Sequence, residues 1–330
     1  MSRSVRRTAG SSSQRRLRGG SFRTASKQRS GVAFGLVWCV SVSLLLSSGC
    51  HSLQKRPVAG NVLSSRQIAM RGIDATQRGR WEEAESSFRS AIEMCPDYDR
   101  AHAGYAEALW QRGAKDLAIT HQQRAVQLSG DDPELITRLG RMHHERGESA
   151  AAEHRVEQAL RGNKDLAAAW LLRGDVMRER GALDEAIGCY HRALVVQPFY
   201  PEAQLALADT YQLQDRPQRV LATLDVLAER YGPGKIPPEI CERQGVAQKT
   251  LGRWEDAARS FLAAGTYMNS PDIAFQLAEV QCQLGDFTAA RVTVGTALQN
   301  APQDPRLVKL AAEIDRRQQR MAAQAMSDLR

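Results

Sequence analysis

From Gly79 onward the chain repeats a pattern of small and apolar positions. Gly79, Gly113, Gly147 and Gly181 are each 34 residues apart, and the series resumes at Gly252 and Gly285. Five residues after each glycine stands an alanine: Ala84, Ala118, Ala152, Ala186, Ala257 and Ala290. Seven residues further on stands another, at Ala91, Ala125, Ala159, Ala193, Ala264 and Ala297. The segments on either side of each glycine, roughly fourteen residues long, carry apolar residues at helical spacing. The pattern predicts two helices per period, joined at a glycine free to adopt the left-handed conformation that ends a helix. Small positions let the helix backbones approach, and large residues such as Leu139, Leu207 and Leu277 fill the remaining space. One helix pair cannot bury its own apolar face, so the copies must stack on one another.

With that glycine as position 15 of a 34-residue unit, copies fall at 65–98, 99–132, 133–166, 167–200, 201–234, 238–270 and 271–304. Position 8 is small in all of them: Gly72, Ala106, Gly140, Gly174, Ala208, Gly245 and Ala278. Position 24 is aromatic at Phe88, Tyr190 and Phe261, position 32 is proline at Pro96, Pro198 and Pro302, and Trp170 fills position 4. This pattern resembles the tetratricopeptide repeat family over residues 65–304. The resemblance implies an all-α, right-handed superhelical solenoid of about seven helix-turn-helix repeats. Residues 305–330 read as a capping helix and tail, apolar at Leu307, Leu310, Ala311 and Ile314. The fifth copy departs from the pattern: Asp215 replaces the glycine, Val220 replaces the alanine, and YGPGKIPP makes it three residues longer. Asp215 is expected to cap the following helix and Pro217 to sit in its first turn. The extra residues read as a hinge or as an insertion tolerated in a surface loop.

Ahead of the repeats lies a different kind of segment. Residues 1–30 are basic and Ser-rich, residues 31–46 (GVAFGLVWCVSVSLLL) carry no charge, and Ser47, Ser48, Gly49 and Cys50 follow. A membrane-spanning helix needs about 20 apolar residues, so this run is short for one. Basic, apolar and small residues in this order predict a signal peptide over residues 1–49. The Gly-Cys end resembles the lipobox of bacterial lipoproteins, which implies lipidation of Cys50. It departs from that pattern in having Ser47 three places before the cysteine, with Leu46 one place further back. The other reading is an uncleaved signal anchor. In both, the positive charges stay on the cytoplasmic side and the body is exported, anchored at a bacterial cell envelope with its repeats on the periplasmic side. Residues 50–64 read as a flexible tether.

The whole chain has 45 Lys and Arg against 37 Asp and Glu. Nine of the basic residues lie in the first 49, where there is no acid, which leaves 36 against 37 from Cys50 onward. A nearly neutral body excludes a phosphate-tracking surface, so no nucleic-acid partner is expected. The GPGK at Gly232–Lys235 is not a phosphate loop, because Glu229 and Ile236 occupy the required Gly and Ser/Thr places. His143, His144 and Glu145 lack the second histidine of a zinc-protease helix, since Glu148 stands there. His143 reads as a packed side chain. Cys95, Cys189, Cys241 and Cys282 have no metal-ligand spacing and read as small buried hydrophobes. No catalytic residue, metal or cofactor is expected, and the chain is not expected to be an enzyme.

What remains is recognition. The resemblance implies that the first helices of the repeats line a concave groove facing another protein or peptide. Transferred to this sequence, the groove residues include Glu107, Trp110, Arg141, Leu171, Asp175, Arg178, Leu205, Asp209, Phe275 and Glu279. The set is rich in acids, which read either as a solvated surface or as a charge-selected site. Trp110 reads equally as a partner's anchor or as a side chain packed on the next helix. The implied function is a membrane-anchored scaffold, through the lipid on Cys50, in cell-envelope assembly. The alternatives are a non-catalytic adaptor that recruits a cell-wall enzyme and a structural spacer that self-associates.

Overall fold

The computed structural model describes residues 59–232, 234–267 and 270–328. The apolar run and Cys50 lie outside the described residues. Within them there are fifteen helices and no strand. Seven antiparallel pairs follow one another: α1 (Ala59–Gln77) with α2 (Trp81–Met94), α3 (Asp99–Gln111) with α4 (Lys115–Ser129), α5 (Pro133–Glu145) with α6 (Ser149–Gly162), and α7 (Ala167–Glu179) with α8 (Leu183–Val196). They continue as α9 (Pro201–Leu213) with α10 (Pro217–Glu229), α11 (Pro238–Thr250) with α12 (Trp254–Tyr267), and α13 (Pro271–Gln283) with α14 (Phe287–Asn300). A single helix, α15 (Pro305–Asp328), closes the series. Each helix packs mainly on its neighbours in sequence, as in a solenoid.

The periodic glycines do what the sequence requires of them. Gly79, Gly113, Gly147, Gly181, Gly252 and Gly285 all have φ between 68° and 84° and turn the chain from the first helix of a pair into the second. Asp215 corrects an expectation. It does not cap α10, whose N-cap is Arg216 without a side-chain bond; instead Asp215 itself takes the left-handed conformation, with φ 53°. The backbone turn outweighs the side-chain preference, because every pair needs a left-handed residue there. An L-residue in this region costs about 1–2 kcal/mol and glycine's extra freedom when unfolded about 0.5–1 kcal/mol. Asp215→Gly is therefore expected to stabilise the chain by about 0.5 kcal/mol, read as a higher denaturant midpoint; a lower midpoint would contradict this account.

In three copies the packing of the pair turns on two positions of the same copy; the third copy differs, with Gly140 but Val156 at the ring position. A Cβ built on Gly72 would lie 2.9 Å from the Phe88 ring, one on Gly174 2.4 Å from Tyr190, and one on Gly245 2.8 Å from Phe261. All three rings are buried. Where alanine replaces the glycine, at Ala106, Ala208 and Ala278, the ring position holds Gln122, Leu224 and Val294. The ring thus fills the room that a missing Cβ leaves.

The core continues through the irregular fifth copy. Leu224, Leu227, Ile240 and Ala247 belong to one buried cluster that reaches back to Tyr190 and Leu207. This continuity fits a tolerated insertion. At the far end, α15 buries Leu307, Leu310 and Ile314 against Ala290, Val294 and Ala297. At the near end the expected tether is shortened: residues 59–64 already belong to α1, and Ser65 Oγ donates to the Ala91 carbonyl at 2.8 Å, holding α1 on α2. Exposed Leu63 breaks the apolar period there, which hides the first turns of α1 from a pattern reading.

Candidate protein-binding groove

First helices of successive pairs touch directly at α1–α3, α5–α7, α7–α9, α11–α13 and α13–α15. Between α3 and α5, as between α9 and α11, that contact is sparse, and between α3 and α5 a groove of about 770 Å³ opens. Its walls come from α1, α3, α5 and α7. Ile73, Trp110, Met142 and Leu166 supply apolar surface, while Glu107, Glu134, Arg138, Arg141 and Glu145 supply charge. The floor includes the edge of Phe88, reached beside Gly104. A Cβ on Gly104 would stand 2.3 Å from that ring, so glycine is required for α3 to lie where it does.

Trp110 packs on the next repeat, against the cluster of Ile136, Leu139 and Met142, and also faces the groove. Its Nε1–H donates to Glu145 Oε2 at 2.9 Å, and the Lys115 ammonium lies 5.3 Å from the ring centroid. The indole is therefore held in one orientation across the gap between α3 and α5, which is what an anchor for a partner needs.

Family models of the tetratricopeptide repeat match residues 69–133, 174–215 and 250–314. The chain is a tetratricopeptide repeat protein. No curated protein matches the sequence. Among solved structures, pilF of Pseudomonas aeruginosa superposes with a TM-score of 0.57 at 18% identity, covering 68% of this chain and 99% of that one. A tetratricopeptide repeat protein from Parabacteroides merdae ATCC 43184 superposes with a TM-score of 0.53 at 13% identity, covering 76% and 99%. At these identities the likeness is one of fold. Such repeat folds are typically non-catalytic scaffolds.

Of the ten groove residues expected in this tetratricopeptide repeat protein, Glu107, Trp110 and Arg141 line the groove together. Leu171 is a correction: at 5% exposure it belongs to the core, because the close approach of α7 to α5 and α9 covers it. Leu205 packs half-buried on the same cluster. Phe275 packs on the cap cluster, with the Arg306 guanidinium of α15 5.6 Å from its centroid.

Several acids of this face are tied to neighbours. Asp209 accepts two bonds from Arg243 at 2.6 and 3.2 Å, and Glu279 accepts from Lys249 Nζ at 2.6 Å. Both pairs bridge successive repeats. Asp175 accepts from the Tyr190 hydroxyl at 2.9 Å and lies 3.5 Å from Arg178. Burial pushes the Asp175 carboxyl above its ordinary range, against the opposing pull of Tyr190 and Arg178. Burial likewise raises the Tyr200 phenol, against the pull of Arg141.

Sequence reasoning missed Ile73, Gly104, Arg138 and Leu166. Gly104 left a signal, since it is a glycine in mid-helix where the other copies carry a side chain. His143 is packed as expected, with Nδ1 2.5 Å from Glu148 Oε2. Cys95, Cys189 and Cys241 are buried, Cys282 is half-buried, and all four are free. Burial raises the thiols of Cys189, Cys241 and Cys282, which disfavours the reactive thiolate. Among the described residues no cluster of three or more His, Cys, Asp or Glu is placed to hold a metal ion.

Proposed function

We propose that this chain is an exported scaffold, anchored to a bacterial envelope membrane through Cys50, that holds a segment of another protein in the groove between α1, α3, α5 and α7. Tetratricopeptide repeat proteins mediate protein–protein interactions, and this supports the general reading. The observation that carries the choice of site is the pre-oriented Trp110 indole, fixed by Glu145 at the mouth of the groove. Fixing an aromatic side chain before binding removes the entropy cost of ordering it on contact. Charges of both signs around it, Glu107 and Arg141 among them, suit a mixed-charge segment with an apolar anchor. The envelope address rests on the signal-like residues 1–49 and the Gly49-Cys50 end.

Trp110→Ala is expected to weaken a partner recovered with the wild-type chain by about 30-fold, the effect of losing an interface hot spot of about 2 kcal/mol. Titration calorimetry measures it, and circular dichroism checks that helicity is retained. Unchanged affinity would place the partner outside this groove. The anchor is tested separately by the intact mass of membrane-extracted protein. Residues 50–330 plus acyl groups are expected; an unprocessed chain would refute lipidation and leave the groove reading untouched.

A further inference from the structure

Repeat 2 contains a pair of histidines that neither the groove nor the general packing of the repeats uses. His102 on α3 and His121 on α4 face each other with their Nδ1 atoms 3.0 Å apart and their rings stacked at 5.2 Å between centroids. His102 Nε2 lies 3.0 Å from the Pro96 carbonyl oxygen in the turn before α3. A carbonyl only accepts, so the proton of His102 sits on Nε2 and its Nδ1 carries a lone pair. His121 must then hold its own proton on Nδ1 and donate it to His102. The neutral pair is fully matched by this one arrangement of protons. Tyr105 stands edge-on to His121 at 4.6 Å between centroids, and its hydroxyl accepts from Arg89 Nε at 3.3 Å.

We propose that His102 and His121 form an acid-sensitive clasp that holds α3 on α4 at neutral pH and releases it when the pair takes up protons. A first proton can go to His121 Nε2 without breaking the bond between the rings. A second must go to His102 Nδ1, and two N–H groups would then point at each other across 3.0 Å. The rings separate, and the joint between the two helices of repeat 2 is weakened.

Burial lowers the His102 basicity first, the bond to the Pro96 carbonyl opposes it, Arg124 adds to the lowering, and Asp97 and Asp99 oppose it. The Arg124 charge is itself shared with Asp97 at 3.0 Å. His121 is lowered by burial and then by His102. Both imidazoles thus titrate lower in the folded chain than the ordinary value of about 6.5. Stability from the pair is present above that value and is lost as pH falls through the depressed folded values.

The groove wall carrying Glu107, Trp110 and Gln111 is the same helix α3, so release loosens that wall. The clasp itself does not depend on the groove having a partner.

Long-range proton–nitrogen spectra of the full chain test the arrangement directly. Expected are an Nε2–H tautomer for His102, the rarer Nδ1–H tautomer for His121, and titration of both below 6.5. Hydrogen exchange at pH 7.5 and 5.0, corrected for intrinsic rates, reads the release. Protection in α3 and α4 is expected to fall about fivefold more than in α7 and α8, the equilibrium weight of one net hydrogen bond. In His102→Gln, whose amide can donate to Pro96 and accept from His121 without titrating, that excess should disappear. Two Nε2–H tautomers, titration at or above 6.5, or an equal fall in α7 and α8 would each overturn the clasp. If His102→Gln does not fold, the wild-type spectra still decide.

Discussion

Gly174→Ala is expected to destabilise the chain by about 3 kcal/mol, and Gly245→Ala by less. The order follows from the approach of the rings: an added Cβ would stand 2.4 Å from Tyr190 in the first case and 2.8 Å from Phe261 in the second. Both rings are fully buried and neither has room to move aside. The decisive experiment is a double-mutant cycle. Phe261→Leu alone should cost about 1–2 kcal/mol through a cavity, whereas Gly245→Ala with Phe261→Leu should cost much less than the two changes added together. The fifth copy already carries that combination, as Ala208 with Leu224. Urea denaturation of the four proteins measures the coupling, and additive effects would show that ring and glycine do not answer one another.

The second large effect concerns α15. Ile314→Ala is expected to cost about 2–5 kcal/mol, because the side chain is fully buried against the last pair. In a solenoid each repeat meets only its neighbours, so this loss should stay local. Hydrogen exchange should rise in α13, α14 and α15 and remain unchanged in α1 to α8. Uniform loss of protection along the whole chain would mean that the solenoid unfolds as one unit.

Much of this fold is legible in the sequence because two simple demands recur in every copy. A left-handed turn calls for glycine, and close helix approach calls for small residues at Ala84, Ala91 and their equivalents, which are buried in every copy but the fifth, where Val220 and Leu227 stand instead. Asp215 shows the limit of such reading. Its side chain suggested a cap, but the turn geometry of the other copies decides its conformation. The groove was less legible, since repeat position alone placed Leu171 there. How closely two first helices approach depends on every side chain between them, and that is not periodic. The sparse contact between α3 and α5, which opens the groove, has no counterpart in the motif. The ties of Asp209 to Arg243 and Glu279 to Lys249 were hidden for a related reason: each joins residues about one period apart, and the motif does not specify their charges.

The glycine at 104 has a consequence for how such a chain can be built. Phe88 belongs to the first copy, yet it presses on the backbone of α3 in the second as well as on its own Gly72. At the place of Gly104 the later copies carry Arg138, Leu172, Ala206, Arg243 and Gln276, each with a Cβ. Each would bring a Cβ against the Phe88 ring as it now lies, so the first two copies are fitted to each other. The modules of this chain are therefore not interchangeable beads: the first is fitted to the second at Gly104, and later ones are tied to one another through Asp209–Arg243 and Lys249–Glu279.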